Sequence, residues 1–173
     1  MVVTRMPNPR IDDTDRRILR YLLRDARQSV AVLARQIGLS ESAVRHRIDR
    51  LVELEVIRRF TVALDCKKLG YPITVIVGVK VGGMPGPDAA KVLRQVGEIV
   101  DIFTITGEFD LILRIVCSDI ERFEQIVERV RAYEFVEQTR SFVVLNKIRE
   151  NDFDGIIEVA EPRPTARGSP HTK

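Results

Sequence analysis

With 173 residues, 45% of them hydrophobic and 31% charged, the chain can form one good core or two small ones; no apolar run in it is long enough for a membrane span or a secretory signal, so a soluble cytoplasmic protein is expected. Cys66 and Cys117 have no partners at metal-ligand spacing and only two histidines are present, which argues against a zinc site and leaves two plain thiols. The net charge of +3 is unevenly spread: residues 1–65 hold 13 basic residues, all arginine, against 9 acidic ones, residues 66–150 hold 12 of each, and residues 151–173 hold 3 and 4.

In chain order, the first apolar pattern is helical. Asp12 with Asp15 three positions on forms a capping box, and Ile18, Leu19, Leu22 and Leu23 make one face of a first helix. Ser29 caps a second, in which Val30, Leu33, Ala34 and Ile37 follow the i, i+3, i+4, i+7 spacing. Gly38 supplies a left-handed stop, Leu39 tucks back, and Ser40 caps a third helix at once. Two helices joined by so tight a turn have the geometry of a helix-turn-helix.

In the third helix Val44, Ile48, Leu51 and Val52 share one face. At about 100° per residue, Ser42, His46, Asp49 and Arg50 point the other way, with Arg45 and Arg47 flanking them. The N-terminal part of such a helix enters the DNA major groove, so Ser42, Arg45 and His46 are the base-edge candidates, while Arg50 meets a phosphate or pairs with a neighbouring acid. Arginine suits both tasks, because its planar fork donates two hydrogen bonds at once. An arginine-rich face is equally what a solvated three-helix bundle shows; the succession of cap, turn and cap favours DNA. A lone His46 with no second ligand nearby makes no metal site.

VIRRFTVALD then alternates, with Phe60, Val62 and Leu64 on one side, and reads as a strand that is either a wing or a linker. LGYP at 69–72 marks a boundary. From Ile73 the order is strand, helix, strand, strand, helix, strand. ITVIVGVKV is β-branched and continuous, and Ala89, Ala90, Leu93 and Val96 give a helical face. VDIFTIT and FDLILRIVC are joined by a two-residue Gly107–Glu108 turn. Ser118 with Glu121 boxes a helix whose Ile120, Phe123, Ile126, Val127 and Val130 face inward, and FVEQTRSFVVLNKI closes the set as a long strand. This is the ferredoxin-like βαββαβ order, giving an α+β protein in which one sheet face needs cover from a second copy. The expected domains are a helix-turn-helix at 11–57, a hinge strand and linker at 58–72, a ferredoxin-like unit at 73–150 and a mobile extension at 151–173. Within the extension, NDFDGIIEVA is placed to add a short packed segment.

IDDTDRRILRYLLRDAR, LSESAVRHRIDRLVELEVI, the LGYP junction, TGEFDLILRIV and VEQTRSFVVLNKI, in that order over residues 11–149, resemble the Lrp/AsnC, or feast/famine, transcription regulators. The resemblance implies an N-terminal winged-helix-like helix-turn-helix, a hinge, and a ligand-sensing ferredoxin-like (RAM) domain that forms dimers and then tetramers or octamers. It carries the DNA-reading role to Ser40, Ser42, Arg45, His46, Arg47 and Arg50. It places an effector pocket between dimers at a Gly-x-aromatic-Asp hairpin, here Gly107, Glu108, Phe109 and Asp110, with a Thr-x-Thr on the last strand that here reads Thr139, Arg140, Ser141. Glu55 departs from a glycine usual before Val-Ile, so a left-handed helix stop there would be strained by about 1 kcal/mol.

The hairpin also fits an amino-acid effector chemically. A buried ammonium needs an acceptor such as Asp110, and a carboxylate needs donors such as the N–H groups of the Gly107 turn. The same two residues can equally serve the turn alone. Some proteins of this two-domain shape resemble tetrapyrrole decarboxylases, which need histidines in the second domain; here His46 and His171 both lie outside it. The chain is therefore read as a non-enzymatic regulator that binds double-stranded DNA and an amino acid, without metal or other cofactor. The remaining alternative is an architectural protein that packages DNA without an effector.

Overall fold

A computed structural model describes residues 11–149 and 152–159, which fall into two compact units. The first unit contains α1 (Asp13–Arg24), α2 (Val30–Ile37) and α3 (Glu41–Glu53). Each starts where a side chain takes up an orphan N–H of the first turn. Asp15 N–H donates to Asp12 Oδ1 at 2.8 Å and Asp12 N–H to Asp15 Oδ2 at 3.1 Å. Val32 N–H donates to Ser29 Oγ at 3.3 Å and Ala43 N–H to Ser40 Oγ at 3.2 Å. Gly38, at φ +80°, ends α2, and the N–H groups of Gly38 and Leu39 both reach Ala34 O. Ile18, Leu33, Ala34, Ile37, Val44 and Leu51 form the core of this unit. Leu23, Leu39 and Val52, expected inward, are 48%, 39% and 43% exposed. Their positions sit at the edge of each apolar stripe, and three short helices cannot cover so wide a face.

α3 ends in a strained residue. Glu55 has φ +55° and is the one described non-glycine residue with positive φ. Its N–H bonds Val52 O, and Ile57 N–H reaches back to Leu51 O, closing the last turn. Glu55→Gly is accordingly expected to raise the stability of this unit by up to about 1 kcal/mol, read as a shift in urea midpoint at unchanged slope.

The second unit is one antiparallel sheet of β1 (Ile73–Val81), β2 (Ile99–Thr104), β3 (Leu111–Cys117) and β4 (Val136–Val143) in the order β2-β3-β1-β4. The crossovers are α4 (Gly86–Leu93) and α5 (Ile120–Arg131). Val75, Val77 and Val79 of β1 and Leu111, Leu113, Ile115 and Cys117 of β3 pack on Ala89, Leu93, Val96, Ile126 and Val130, so both helices cover the same face. The other face carries Ile76, Ile112, Phe103 and Phe142, the last two more than half exposed. α5 starts one residue later than the box expected at Ser118: Asp119 is the cap, its Oδ1 accepting from Arg122 N–H at 2.7 Å. A carboxylate outcompetes a hydroxyl for that donor, and Ser118 Oγ instead donates to Asp119 Oδ2. Ile120, expected inward, is half exposed at the first turn.

Residues 58–64 do not form the expected strand. They have no ladder partner among the described residues, and Phe60, Val62 and Leu64 are 54%, 72% and 66% exposed. Alternation makes a segment extended, but only pairing makes it a strand. The last strand likewise ends at Val143, followed by one more ladder bond from Val144 N–H to Thr74 O. Within the extension, α6 (Asp154–Val159) groups with the first unit and packs on α1. Residues 160–173 lie outside the described residues.

Candidate DNA-reading helix and effector hairpin

α3 divides its polar side chains between two tasks. Arg47 Nη1 donates to Asp12 Oδ2 at 2.7 Å and to Asp15 Oδ1 at 2.8 Å, and Arg50 Nη1 donates to Asp15 Oδ2 at 3.0 Å. Asp15 is fully buried, so these bonds fasten the middle of α3 to the start of α1. Partial burial works against the charged form of Asp12, yet the hydrogen bond from Arg47 prevails and holds its carboxyl below the usual carboxylate range; the hydrogen bonds to Asp12 and Asp15 in turn raise the pKa of Arg47. Arg47, expected on the DNA side, is thus turned to α1, and Arg50 takes the second of its two expected roles, pairing with a neighbouring acid. The helical wheel places a residue by its Cβ, whereas a long guanidinium reaches around the helix to a buried carboxylate.

Ser40 spends its hydroxyl on the α3 cap, with Ser42 Oγ 3.1 Å from it. Ser42, Arg45 and His46 are exposed along the first two turns of α3. The anchoring role of Asp12 and Asp15 is the part that sequence reading missed. Its signal was present: the two acids meant for the cap sit three apart, on the side of α1 that α3 must cross.

The β2–β3 hairpin is longer than expected. Ile105 N–H donates to Asp110 O at 2.9 Å, which leaves Thr106, Gly107, Glu108 and Phe109 as a four-residue loop in place of a two-residue turn. Gly107 has φ +130°, which favours glycine. The loop is lengthened because Phe109 must be laid on the sheet: its ring is 8% exposed and lies against Gly78, where an added Cβ would be 2.6 Å from the ring. Arg140, the register partner of Gly78, holds its guanidinium 5.6 Å from the ring centroid and pairs with Glu108 at 3.0 Å. Asp110 Oδ2 accepts from Val81 N–H at 2.8 Å and lies 3.3 Å from Lys80 Nζ. The Val81 N–H, with help from the Lys80 ammonium, holds the Asp110 carboxyl below its usual range. Gly78 in an otherwise β-branched strand was the readable sign of this close approach.

The structure groups Gly107, Glu108, Phe109 and Asp110 but does not bring Thr139 and Ser141 to them within one chain. Those two pair with Val79 and Val77, so they point to the helix-covered side. Thr139 Oγ1 there accepts from Arg131 Nε at 2.8 Å. The odd-even register of β4 puts Arg140, between them, on the side of the hairpin. Among the described residues there is no cluster that could hold a metal ion, and no helix is long and apolar enough to cross a membrane.

Residues 11–58 match the winged helix-turn-helix DNA-binding family and residues 74–152 match the Lrp/AsnC ligand binding domain. An HTH-type transcriptional regulator of Mycobacterium tuberculosis is 36% identical over 140 residues, spanning 80% of this chain and 95% of that protein. The HTH-type transcriptional regulator FL11 of Pyrococcus furiosus is 31% identical over 81% of this chain and 93% of its own length. Among solved structures, the feast or famine regulatory protein from M. tuberculosis complexed with L-methionine aligns with a TM-score of 0.76 at 27% identity, over 82% of this chain and 97% of that one. An AsnC family transcriptional regulator from Agrobacterium tumefaciens aligns at 0.72 and 29% identity, over 84% and 99%. The match to the ligand binding domain stops at residue 152, before α6.

Proposed function

We propose, from the premise that this chain belongs to the Lrp/AsnC family of transcription regulators, that it reads DNA sequence through α3 and that a free amino acid at the β2–β3 hairpin sets its assembly or its DNA affinity. The family's members are regulators and not enzymes. The observation that carries the DNA reading is the division on α3: Arg47 and Arg50 hold the helix in place, while Ser42, Arg45 and His46 are presented at its N-terminal end. A helix so fixed, with a cationic N-terminal half, is what a major groove accepts.

Arg45→Ala is expected to lower affinity for the preferred site by about 1–3 kcal/mol and to relax base preference at one position, as loss of a bidentate guanine contact does. Gel-shift titrations at several salt concentrations measure this, because the phosphate part of the affinity falls steeply with salt and the base part does not. Failure to bind its own promoter or any genomic fragment would sink the regulator reading, and equal affinity for unrelated DNA would favour the architectural one.

At the hairpin, Asp110 is the acceptor for an ammonium, and Arg140, Lys80 and the Gly107 turn are the nearby donors for a carboxylate. Thr139 and Ser141, on the far side of the sheet, can join such a pocket only from another copy, which agrees with a site between dimers. L-methionine, the ligand of the M. tuberculosis relative, is the first probe, followed by the other amino acids in a thermal-shift panel; a ligand that binds only the native form raises its midpoint.

A dimer is proposed as the working unit, assembling to a tetramer or octamer. Phe103 and Phe142 on the open sheet face and the Phe60, Val62, Leu64 stripe are the apolar surfaces that support it. Light scattering is expected to give a dimer or an even multiple of it. A stable monomer at micromolar concentration removes the basis for reading two half-sites.

A further inference from the structure

The hairpin carries two ion pairs, and they are fastened differently. Asp110 Oδ2 is fixed by the Val81 N–H at 2.8 Å, and Lys80 Nζ lies 3.3 Å from the same oxygen. Glu108 has no such backbone anchor. It follows Gly107, at φ +130°, in the tip of the loop, and among the described residues its carboxylate meets Arg140 alone, with 3.0 Å from Oε1 to Nη1. Both side chains of that pair are at least half exposed. Arg140 is the steadier member, because its guanidinium lies over the Phe109 ring, itself 8% exposed and seated on Gly78.

We propose that Glu108 is a built-in competitor for the effector: without ligand its carboxylate occupies the guanidinium that receives the effector's carboxylate, and the effector binds by displacing it. This rests on the effector reading above. An exposed ion pair of this kind favours the closed form by no more than about 5-fold, so it yields to a carboxylate delivered by a ligand whose ammonium is held at Asp110. A free carboxylate, not tethered to the loop, can also align both oxygens with the guanidinium fork. Lys80 is the poorer receiver, since its ammonium is a point charge already set against Asp110. The exchange keeps Arg140 paired and over its ring, and only Glu108 changes partner. The ligand class follows from the exchange. It requires an ammonium and a carboxylate on one molecule, and the carboxamide of the same amino acid has no anion to offer Arg140.

The test titrates the full chain, Glu108→Ala, Arg140→Gln and the double variant by calorimetry with L-methionine and with L-methioninamide, at a pH where the amine of both is charged. If another amino acid of the thermal-shift panel raises the midpoint further, it and its amide take their place. Glu108→Ala is expected to bind the amino acid about 2- to 5-fold more tightly than the full chain, as removal of an exposed competing pair allows. Arg140→Gln should bind it about 10-fold or more weakly, as loss of a charge-assisted contact does. Once Arg140 is gone, removing Glu108 should add nothing, and for the amide Glu108→Ala should give no tightening at all. Unchanged or weaker binding in Glu108→Ala overturns the competitor and leaves the effector reading standing. Equal tightening for the amide, or in the Arg140→Gln background, overturns it too, since a pair that only braces the loop would act on any ligand alike. If none of the twenty amino acids shifts the midpoint of the full chain, the effector reading itself has failed and the proposal falls with it.

Discussion

Asp15→Ala is expected to remove most of the stability of the DNA-reading unit, and DNA binding with it. Asp15 is the hub of that unit: its buried carboxylate takes hydrogen bonds from Arg47, from Arg50 and from the N–H of Asp12. Deleting one member of a buried ion cluster costs about 3–5 kcal/mol when the partners stay buried; here Arg47 and Arg50 keep side-chain exposures of 29% and 36%, so water relieves part of the loss and about 2–4 kcal/mol is expected. At about 0.05–0.15 kcal/mol per residue, a unit of roughly 60 residues has only about 3–9 kcal/mol in total. Because each unit has its own core, chemical denaturation should show the transition of the three-helix unit moving to lower denaturant in the variant while the sheet's transition stays. Hydrogen exchange in α1 and α3 identifies which unit moved. A variant within about 0.5 kcal/mol of the parent would mean the arginines find equivalent partners and the hub assignment is wrong.

The same cluster predicts acid sensitivity of one sign. Asp12, with its folded pKa depressed, stabilises the unit above its ordinary unfolded pKa, and that contribution is lost as pH falls through the lower folded value. The unit is therefore expected to weaken on acidification below the usual carboxylate range, followed by circular dichroism from pH 7 downward.

Legibility in the sequence followed the range of the interaction involved. Caps are local, and Asp12, Ser29, Gly38 and Ser40 stand where their residue types put them. The strand and helix order of the second unit was readable for the same reason: its periodicity changes from one element to the next, at glycine or proline around α4 and the β2–β3 hairpin and at a polar cap before α5. Even Glu55 was legible, because an absent glycine at a helix stop has one geometric consequence, a positive φ, and the structure shows it. Apart from the α5 cap, which passed locally from Ser118 to Asp119, and the stripe-edge residues left exposed, the misreadings involve a partner remote in sequence. Arg47 was assigned to the DNA side and Arg50 to a phosphate or an unnamed acid, but the partner both take, Asp15, is more than 30 residues away. The hairpin length was set by Phe109 needing to reach Gly78, a contact no local turn rule contains. Residues 58–64 alternate as a strand does, yet have no pairing partner among the described residues. Thr139 and Ser141, which the family pattern joins to the hairpin at a contact between dimers, lie across the sheet from it within one chain, because neighbouring residues of β4 face opposite ways.

That separation decides how effector coupling should be tested. Asp110→Ala is a poor probe, since it removes the acceptor of the Val81 N–H along with the proposed acceptor of the ligand's ammonium. Gly78→Ala acts on the pocket from beneath. Its new Cβ would sit 2.6–2.9 Å from three atoms of the Phe109 ring, closer than packed carbons tolerate. The ring is buried and ends no flexible chain, so the loop must lift, and with it Glu108 and the Arg140 guanidinium over the ring. Overpacking of this kind costs about 1–3 kcal/mol. The larger effect is expected in coupling. If L-methionine shifts DNA affinity in the parent by a typical 5- to 150-fold, about 1–3 kcal/mol, Gly78→Ala should reduce that shift to about 1-fold, while affinity for DNA without ligand stays as it was. Phe109→Leu in the same chain gives the added methyl room, so the double variant should be less destabilised than the sum of the singles. Calorimetry for the amino acid and anisotropy for DNA read both ends of the linkage, which must agree: whatever factor the ligand applies to DNA affinity, bound DNA must apply to ligand affinity. A Gly78→Ala chain that still binds the amino acid and passes the same factor to DNA places the effector somewhere other than this hairpin.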